Sequence, residues 1–311
     1  VKTAGGTPHP HLTAYFHVRA YAGSPITKVR VDAVVENNWT MVAAPSDFTY
    51  NVNLTVGGTS IYTNPALTHF TRARWHKVGW WGTEPTLYAK HDKVYLQDTK
   101  AVSKYANVTP PESVLSGMLK SIAPMQIGNN RSYMATTGEN GMIGPHPEWV
   151  SVYLTSMDKR ALTASLYNAD GGGTYNSHYR NENTKLPATI DDYPVMQIGE
   201  PIYSGWIPPV LSSSPHQWDD SHQPALAYVP YLVSGDYYYL EELQFWASAN
   251  MLLTSSGTRQ SQIGTQVRGQ AWSMRTLGEA AYITPDTHPL KTHFVNRTKL
   301  YISKYTDRYP N

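Results

Sequence analysis

The chain of 311 residues contains no cysteine. This absence excludes disulfide bonds, thiolate metal sites and cysteine nucleophiles. Charged residues are also scarce, since they make up 15% of the sequence and leave a formal net charge of +2. Proteins that bind nucleic acid usually concentrate basic residues on one face, so this near-neutral balance argues against a nucleic-acid partner.

Long hydrophobic runs are missing as well. No apolar stretch approaches the ~20 residues of a membrane span, and Val1-Lys2-Thr3 does not have the pattern of a signal peptide. We therefore expect a soluble chain that was processed or excised from a longer one. The GxSxG elbow, the P-loop and a GxGxxG before a helix are also absent, which excludes the commonest hydrolase and nucleotide-binding classes.

Aromatic residues are abundant, with 23 Tyr and 9 Trp. Together with many Asn, Thr and Gly and few charges, this composition is typical of extracellular proteins that handle carbohydrates. It predicts a secreted or periplasmic location and a polysaccharide or glycan partner. The length allows two domains, because single domains commonly run to ~100 to 200 residues.

The first third alternates apolar and polar residues with a period of two, which places one face of each strand in a core. The apolar set Ala14, Phe16 and Val18 is expected to be buried, and Gly57-Gly58 predicts a two-residue hairpin turn. We predict an N-terminal antiparallel β-sandwich over residues 1–108, which ends before Thr109-Pro110-Pro111. The predicted strands are Leu12 to Ala20, Val29 to Val35, Phe48 to Val56, Thr59 to Tyr62, His69 to Trp81 and Thr86 to Leu96.

Basic and aromatic residues are densest in one of these strands, at Arg72, Arg74, Trp75, His76, Trp80 and Trp81. Large aromatic side chains usually bury for packing, so sandwich core and interdomain contact is one interpretation. A platform on which sugar rings stack is the other.

After Pro111 the pattern changes to a repeated short turn, Ser/Thr-x-Asp, with Leu four residues past the Asp. Such residues cap helix N-termini, and the Leu begins a buried stripe. Residues 112–311 should therefore form an arc of α-helical hairpins, with turns at Asp158, Asp236 and Asp286. The predicted helices are Glu112 to Ile122, Trp149 to Leu154, Lys159 to Asn168, Ala225 to Val233 with a kink at Pro230, Tyr237 to Leu253, Gln270 to Ile283 and Pro289 to Tyr305.

The long connections between hairpins share the tripeptide Gln-Ile-Gly, at residues 126–128, 197–199 and 262–264. Because the short turns close one end of each hairpin, these connections must gather at the other end, which we name the loop end. Long Gly-rich loops on a repetitive scaffold usually carry function. His222 should therefore lie beside Arg268 and near the loop that carries His178.

Polar residues at the loop end form the candidate site. Asp220 or Ser221 could equally cap a helix, and His146 and His222 beside prolines could be structural. A zinc site at His146, His178, His216 and His222 has no supporting short spacing, so we expect no metal and no cofactor. The candidate binding residues are Asn130, Arg131, Glu139, Asp220 and Trp272.

A β-sandwich joined to helical hairpins whose loops meet at one end resembles secreted polysaccharide lyases and glycoside hydrolases with an (α/α) toroid, such as exo-rhamnogalacturonan-lyase-like proteins. The resemblance is architectural and carries no aligned family signature. Three hairpins and a leading helix form a partial (α/α) toroid, about half of what such proteins contain. The chain is therefore expected to associate with further segments of a longer protein or to form a homo-oligomer.

What the resemblance implies is β-elimination on an acidic polysaccharide. Tyr179 with His178 or His222 would supply base and acid, while Arg131, Asn130 or Arg268 would neutralise the substrate carboxylate. A hydrolase would instead use two carboxylates from Glu139, Asp219, Asp220 and Glu182. A structural or adhesion subunit of a surface or virion assembly, without catalysis, is the non-enzymatic alternative.

Overall fold

The computed structural model describes residues 1–21, 23, 25–86, 88–134, 140–198, 214–254, 257–259, 263 and 266–310. Within these residues every strand precedes residue 82 and every helix follows residue 92. The strands are β1 (Thr13–Ala20), β2 (Val29–Asn37), β3 (Phe48–Val56), β4 (Thr59–His69) and β5 (Ala73–Trp81). The helices are α1 (Lys93–Asp98), α2 (Glu112–Ser116), α3 (Glu148–Ser156), α4 (Lys159–Gly172), α5 (Tyr228–Ser234), α6 (Tyr237–Leu253), α7 (Val267–Ile283) and α8 (Lys291–Arg308).

The strands form two antiparallel sheets. One has the order β1-β2-β5, and its register places Val34 opposite Tyr15 on one side and His76 on the other. The second is the hairpin β3-β4, which turns at Gly57 and Gly58 with φ of 57° and 84°. Both residues lie in the left-handed region that glycine enters without strain, so the predicted hairpin turn is confirmed.

The hairpin packs on one face of β5. A Cβ atom at Gly79 would lie 2.2 Å from the Cδ1 of Ile61, so the missing side chain permits close approach of the two sheets. The indole nitrogen of Trp75 donates a hydrogen bond of 3.0 Å to the hydroxyl of Tyr50 on β3. This face of β5 is therefore covered by strands, and its other face is left for the helices.

The face of β1 predicted to be buried is the exposed one. Phe16 and Val18 are 60% and 61% exposed, while the ring of His17 on the other face meets Tyr237 of α6 at 5.1 Å. The prediction was wrong because α4 and α6 bring carboxylates and tyrosines that pair with polar strand residues. Alternation fixed the two faces of the strand but not which of them is covered.

Two predicted strands need correction. His69 to Trp81 is interrupted by a turn at Arg72, which has φ of 60°, so β4 ends and β5 begins within it. Thr86 to Leu96 is not a strand: α1 begins at Lys93, and the Asp92 carboxylate accepts a hydrogen bond of 3.0 Å from the backbone N–H of Tyr95. Among the described residues the leading helix is also shorter than predicted, since α2 ends at Ser116.

The helices pair as successive hairpins. Helix α3 packs against α4, α5 against α6, and α7 against α8, while α6 also contacts α7. Helix α6 is central, with every residue from Tyr238 to Leu252 buried. The pairing of first and second helices therefore follows the predicted order along the chain.

The three Asp-containing turns differ from one another. Asp158 caps α4, since its carboxylate accepts a hydrogen bond of 2.8 Å from the backbone N–H of Arg160. Asp236 precedes α6, but its carboxylate binds Arg30 and Arg19 at 2.7 and 2.8 Å instead of capping. Asp286 does not start a helix, because α8 begins five residues later at Lys291. The prediction that the Asp begins a helix is thus confirmed at Asp158 and Asp236, with a side-chain cap at Asp158 only, and is wrong at Asp286.

Pro230 is the third residue of α5, in the first turn. Backbone N–H groups of a first turn have no partner within the helix, so proline fits there, and the predicted kink within a longer helix was wrong.

Of the repeated Gln-Ile-Gly sequence, Gly199, Gln262 and Gly264 lie outside the described residues. Among the helices described, none combines the length and the apolar character that crossing a membrane requires.

Candidate functional site

A network of buried charges joins the three-stranded sheet to the helices. Arg180 donates hydrogen bonds of 2.6 and 2.8 Å to Glu36 and of 2.9 Å to Glu241. Arg74 lies 3.0 Å from Glu36 and donates hydrogen bonds to Glu241 and Glu242 at 2.9 and 3.4 Å. We call Glu36, Arg74, His178, Arg180, Glu241 and Glu242 the interface network.

The electrostatics of this network favour the charged forms. Burial disfavours the charge of Glu36, but Arg180 and Arg74 outweigh it and lower the pKa of this carboxyl to about 2. Arg74 and Arg180 also pack over the ring of Phe245, at 5.1 and 4.9 Å from its centroid. Each carboxylate has more than one donor, and among the described residues of the network the Nε of Arg74 alone forms an ion pair without a hydrogen bond, so the polar core is nearly satisfied.

His178 belongs to this network and not to a solvent-accessible site. Its side chain is fully buried, and its Nε2 lies 2.9 Å from Glu242. The Nδ1 faces the backbone carbonyls of Tyr175 and Arg72 at 2.9 and 3.1 Å. Both ring nitrogens are therefore occupied by acceptors, and neither can take a proton from a polymer.

Tyr179 has a similar position. Its ring packs under the guanidinium of Arg72 at 4.9 Å, and burial raises the pKa of its hydroxyl above the ordinary value, although Arg72 opposes the shift. A tyrosine base needs the opposite shift to ionise. The geometry thus gives His178 and Tyr179 structural surroundings, in contrast to the roles predicted for them.

His222 and Arg268 are in contact, as the topology of the hairpins predicted. The Nδ1 of His222 lies 2.5 Å from Asp219, and its Nε2 lies 2.7 Å from a terminal nitrogen of Arg268. An arginine can only donate, so Nε2 accepts this bond and Nδ1 carries the proton that is donated to Asp219. Arg268 is exposed and Asp219 is partly exposed, whereas His222 is buried, so solvent reaches this chain of three groups at its two ends.

The contact lies at the start of a polar stripe along α7. Arg268, Trp272, Arg275 and Glu279 are spaced by four, three and four residues, which places them on one face of the helix. The guanidinium of Arg275 lies 4.8 Å from the ring of Trp272 and donates hydrogen bonds to the backbone carbonyls of Gly144 and Gln223 at 2.6 and 2.9 Å. The stripe therefore faces the segments that lead into α3 and α5.

Several polar atoms in this region are buried and have no hydrogen-bond partner among the described residues. They are the Nδ1 of His146, the Nε1 of Trp272, the Nε of Arg275 and one carboxylate oxygen of Glu279. Burying polar atoms without partners is unfavourable, and native proteins keep such atoms mainly where a ligand, a water or a reaction needs them. We call Asp219, His222, Arg268, Trp272, Arg275, Glu279 and His146 the loop-end cluster.

Burial also shifts proton affinities in the loop-end cluster. It raises the pKa of Glu279 to about 7, although Arg275 opposes the shift. Burial and, to a smaller extent, the charge of Arg275 lower the pKa of His146 to about 4. Near neutral pH the cluster therefore contains a carboxyl that can exchange a proton and an uncharged imidazole, which are common properties of acid–base sites.

The other predicted binding residues lie elsewhere or have structural partners. Asp220 is buried, accepts a hydrogen bond of 3.1 Å from Ser221 and packs against Gly269 at the start of α7. Asn130 donates to the backbone carbonyls of Ile127 and Asn168 at 2.7 and 2.9 Å, which fixes a loop.

A separate pocket of about 430 Å³ is lined by Asn130, the exposed Arg131, and Glu148 of α3. Glu139 lies outside the described residues.

Arg268 and Trp272 of the α7 stripe were predicted from the sequence, whereas Arg275 and Glu279 were not. The missing signal was the helical period itself: once Arg268 and Trp272 share a face, positions seven and eleven residues after Arg268 belong to it too.

Nothing in the described part of the chain groups three His, Cys, Asp or Glu side chains in a way that could hold a metal ion. Comparisons of the chain with protein-family models, with curated proteins and with solved structures gave no match.

Proposed function

We propose that the protein cleaves an acidic polysaccharide by β-elimination at the loop-end cluster. The proposal treats the packed β-layers as a sandwich and the helical hairpins as part of an (α/α) toroid, with the polymer bound across the loop end. The observation that carries it is the chain from Asp219 through His222 to Arg268. A base held in one tautomer, next to an exposed guanidinium, is what abstraction of a proton beside a carboxylate requires.

The chemistry follows from competition for Arg268. A uronate carboxylate binds the guanidinium more strongly than a neutral imidazole does, because the hydrogen bonds are charge-assisted and can be bidentate. As Arg268 turns to the substrate, the Nε2 of His222 loses its donor and becomes a free base. Substrate binding would thus uncover the base.

The electron flow is then simple. The Nε2 of His222 takes the proton from the carbon next to the carboxylate, the electron pair forms a carbon–carbon double bond, and the bond to the glycosidic oxygen breaks. The imidazolium of His222 returns its proton to the departing oxygen. Asp219 supports the positive charge that His222 carries between these steps.

A hydrolase mechanism has less support from the same residues. Glycoside hydrolases place their two carboxyl groups about 5 to 10 Å apart. Glu279 lies eleven residues after Arg268 on α7, which is about 16 Å along the helix axis. Asp219, which binds the His222 beside Arg268, is therefore poorly placed to act with Glu279 on one glycosidic bond.

The non-enzymatic alternative has one observation in its favour. Phe16 and Val18 are exposed side by side on β1, which is an edge strand. Exposed apolar edge strands promote pairing with other chains. A structural or adhesion subunit would use this edge for assembly and would show no turnover.

The test is to incubate the protein with polygalacturonate, alginate, rhamnogalacturonan and hyaluronan while following ultraviolet absorbance, since elimination creates a conjugated double bond and hydrolysis does not. His222→Ala and Arg268→Ala should each lower turnover ~100-fold or more.

The matched control is His293→Ala, because His293 also binds an aspartate, Asp191, with Arg297 beside it. There the aspartate binds both the imidazole and the guanidinium, so no ring nitrogen is masked by an arginine. This variant should keep full turnover. New reducing ends without absorbance, or equal losses in all three variants, would contradict the elimination.

A further inference from the structure

A second cleft lies where the three-stranded sheet meets the helices, separate from the loop-end cluster. It has a volume of about 360 Å³. Its lining includes Trp80 from β5, Asp170 and Tyr167 from α4, Met125 from the loop before α3, and Arg30 and Glu84.

Asp170 is held rigidly in this cleft. One of its carboxylate oxygens accepts hydrogen bonds from the Nε2 of His76 at 2.8 Å and from the hydroxyl of Tyr239 at 2.7 Å. The side chain of Asp170 is 20% exposed. A carboxylate has about four acceptor positions, so two donors on one oxygen leave capacity for a ligand hydroxyl.

The imidazole of His76 lies between the carboxylates of Asp170 and Asp32. The Nδ1 of His76 lies 2.8 Å from Asp32, and the ring of His76 stacks on Tyr238 at 3.7 Å. Burial disfavours the imidazolium, but Asp32 and Asp170 outweigh it and raise the pKa of His76 to about 10. One cation thus lies between two carboxylates, which leaves the floor of the cleft negative.

The remaining charges around the cleft are of both signs. Arg30 donates hydrogen bonds of 3.1 and 2.7 Å to Asp236, which also binds Arg19. The lining further contains Lys77 and Glu84, one cation and one anion. These charges largely cancel, so the cleft does not favour an anionic ligand in the way that the loop-end cluster does with its exposed Arg268.

An aromatic wall completes the cleft. Trp80 is partly exposed and is supported by the ring of Tyr21, whose centroid lies 5.3 Å away. Tyr167 lines the same space from α4. Flat aromatic rings beside a fixed acceptor suit the apolar face and the hydroxyl groups of a sugar ring.

We propose that this junction cleft binds a neutral sugar residue, stacked on Trp80 with its hydroxyl groups donating to Asp170. The proposal goes beyond the elimination reaction and does not rest on it, because the two sites share no residue and prefer ligands of different charge. A chain with both neutral and acidic sugars could occupy the two sites at once.

The experiment measures binding of soluble xyloglucan, galactomannan, arabinogalactan and polygalacturonate by affinity electrophoresis and by tryptophan fluorescence. We expect retention by at least one neutral polysaccharide that persists in the turnover-deficient variant His222→Ala. Trp80→Ala should weaken this retention at least tenfold, and Asp170→Asn several-fold.

The matched control is Trp81→Ala, since Trp81 is the adjacent indole but contacts Gly57 of the β3-β4 turn. It should bind like the wild-type protein, and circular dichroism should show all variants folded. Retention by no neutral polysaccharide would overturn the proposal, and so would equal retention by Trp80→Ala and the wild type. Absence of elimination with retained neutral binding would reject the proposed function alone.

Discussion

The interface network and the loop-end cluster contain the same kinds of residue in opposite conditions. In the interface network two arginines and a histidine face three carboxylates, all are buried, and of their polar atoms the Nε of Arg74 alone lacks a hydrogen bond within the described part of the chain, although it lies 3.0 Å from Glu36. In the loop-end cluster, arginine, histidine and carboxylate groups leave buried polar atoms without partners among the described residues. Satisfied charges hold elements together, whereas unsatisfied ones leave capacity for a ligand or a proton.

The largest expected effect comes from breaking the interface network. Glu36→Gln removes the charge shared by Arg74 and Arg180, and we expect a loss of about 3 to 5 kcal/mol in the free energy of unfolding. Urea denaturation measures this loss. Glu112→Gln is the control, because Glu112 pairs with Arg160 at the surface, where such pairs contribute less than about 1 kcal/mol. Similar values for both variants would contradict the comparison.

Two histidine variants compare the interface network with the loop-end cluster directly. His178→Ala leaves the buried Glu242 without its hydrogen-bond partner at 2.9 Å, so we expect a loss of about 3 kcal/mol. His222→Ala should cost about 1 kcal/mol or less, because Asp219 and Arg268 keep contact with solvent. Thermal unfolding of both variants checks the order, and a larger loss for His222→Ala would reverse our assignment of the two regions.

The loop-end cluster should also make stability depend on pH. The pKa of Glu279 is raised to about 7 in the folded protein, from 4.5, so the folded protein holds this proton more tightly than the unfolded chain does. Its contribution is fully present below about pH 4.5 and is lost as pH rises through about 7. Glu279→Gln should therefore be relatively more stable than wild type at about pH 8 than at about pH 5, by about 2 kcal/mol.

The pKa shift of His146 makes the stability of the fold depend on pH in the opposite direction. Its folded pKa is lowered to about 4, so its contribution is present above about pH 6.5 and is lost as pH falls through about 4. Chemical denaturation of wild type, Glu279→Gln and a His146→Gln control across this range separates the two effects. An unchanged pH profile in Glu279→Gln would show that the surroundings of Glu279 do not raise its pKa.

The smallest effect concerns the helix turns. Asp158→Ala removes the hydrogen bond to the backbone of Arg160 and should cost about 1 kcal/mol through the lost cap. Asp236→Ala should cost more, because Asp236 binds Arg30 and Arg19 from the sheet. Equal losses measured by thermal unfolding would mean that Asp236 acts only locally.

The succession of elements was predictable because local signals determine it. Gly57-Gly58 predicts a hairpin turn from backbone conformation alone, and the position of the helical hairpins follows from their short turns. The exposed side of β1 was not predictable from alternation, since its covered face depends on Tyr237, which lies more than 200 residues later and contacts His17.

Residues of the candidate site also differ in whether the sequence could predict their surroundings. The contact of His222 with Arg268 followed from topology, which constrains where helix starts meet. The role of His178 did not, because a histidine in a Gly-rich segment has the same local sequence whether it faces solvent or a buried carboxylate. Only the partners supplied by α6 distinguish the two cases.

The register between β2 and β5 has a consequence for insertions and deletions. Glu36 pairs with Arg74 and Val34 with His76, and alternate residues of β5 point to opposite faces. One added residue between Arg72 and Ala73 would turn Trp75 and Lys77 toward the helices and direct Arg74 and His76 toward the β3-β4 hairpin. Length changes at this turn should therefore be tolerated only in pairs, so its length is fixed by the charges that the helices carry.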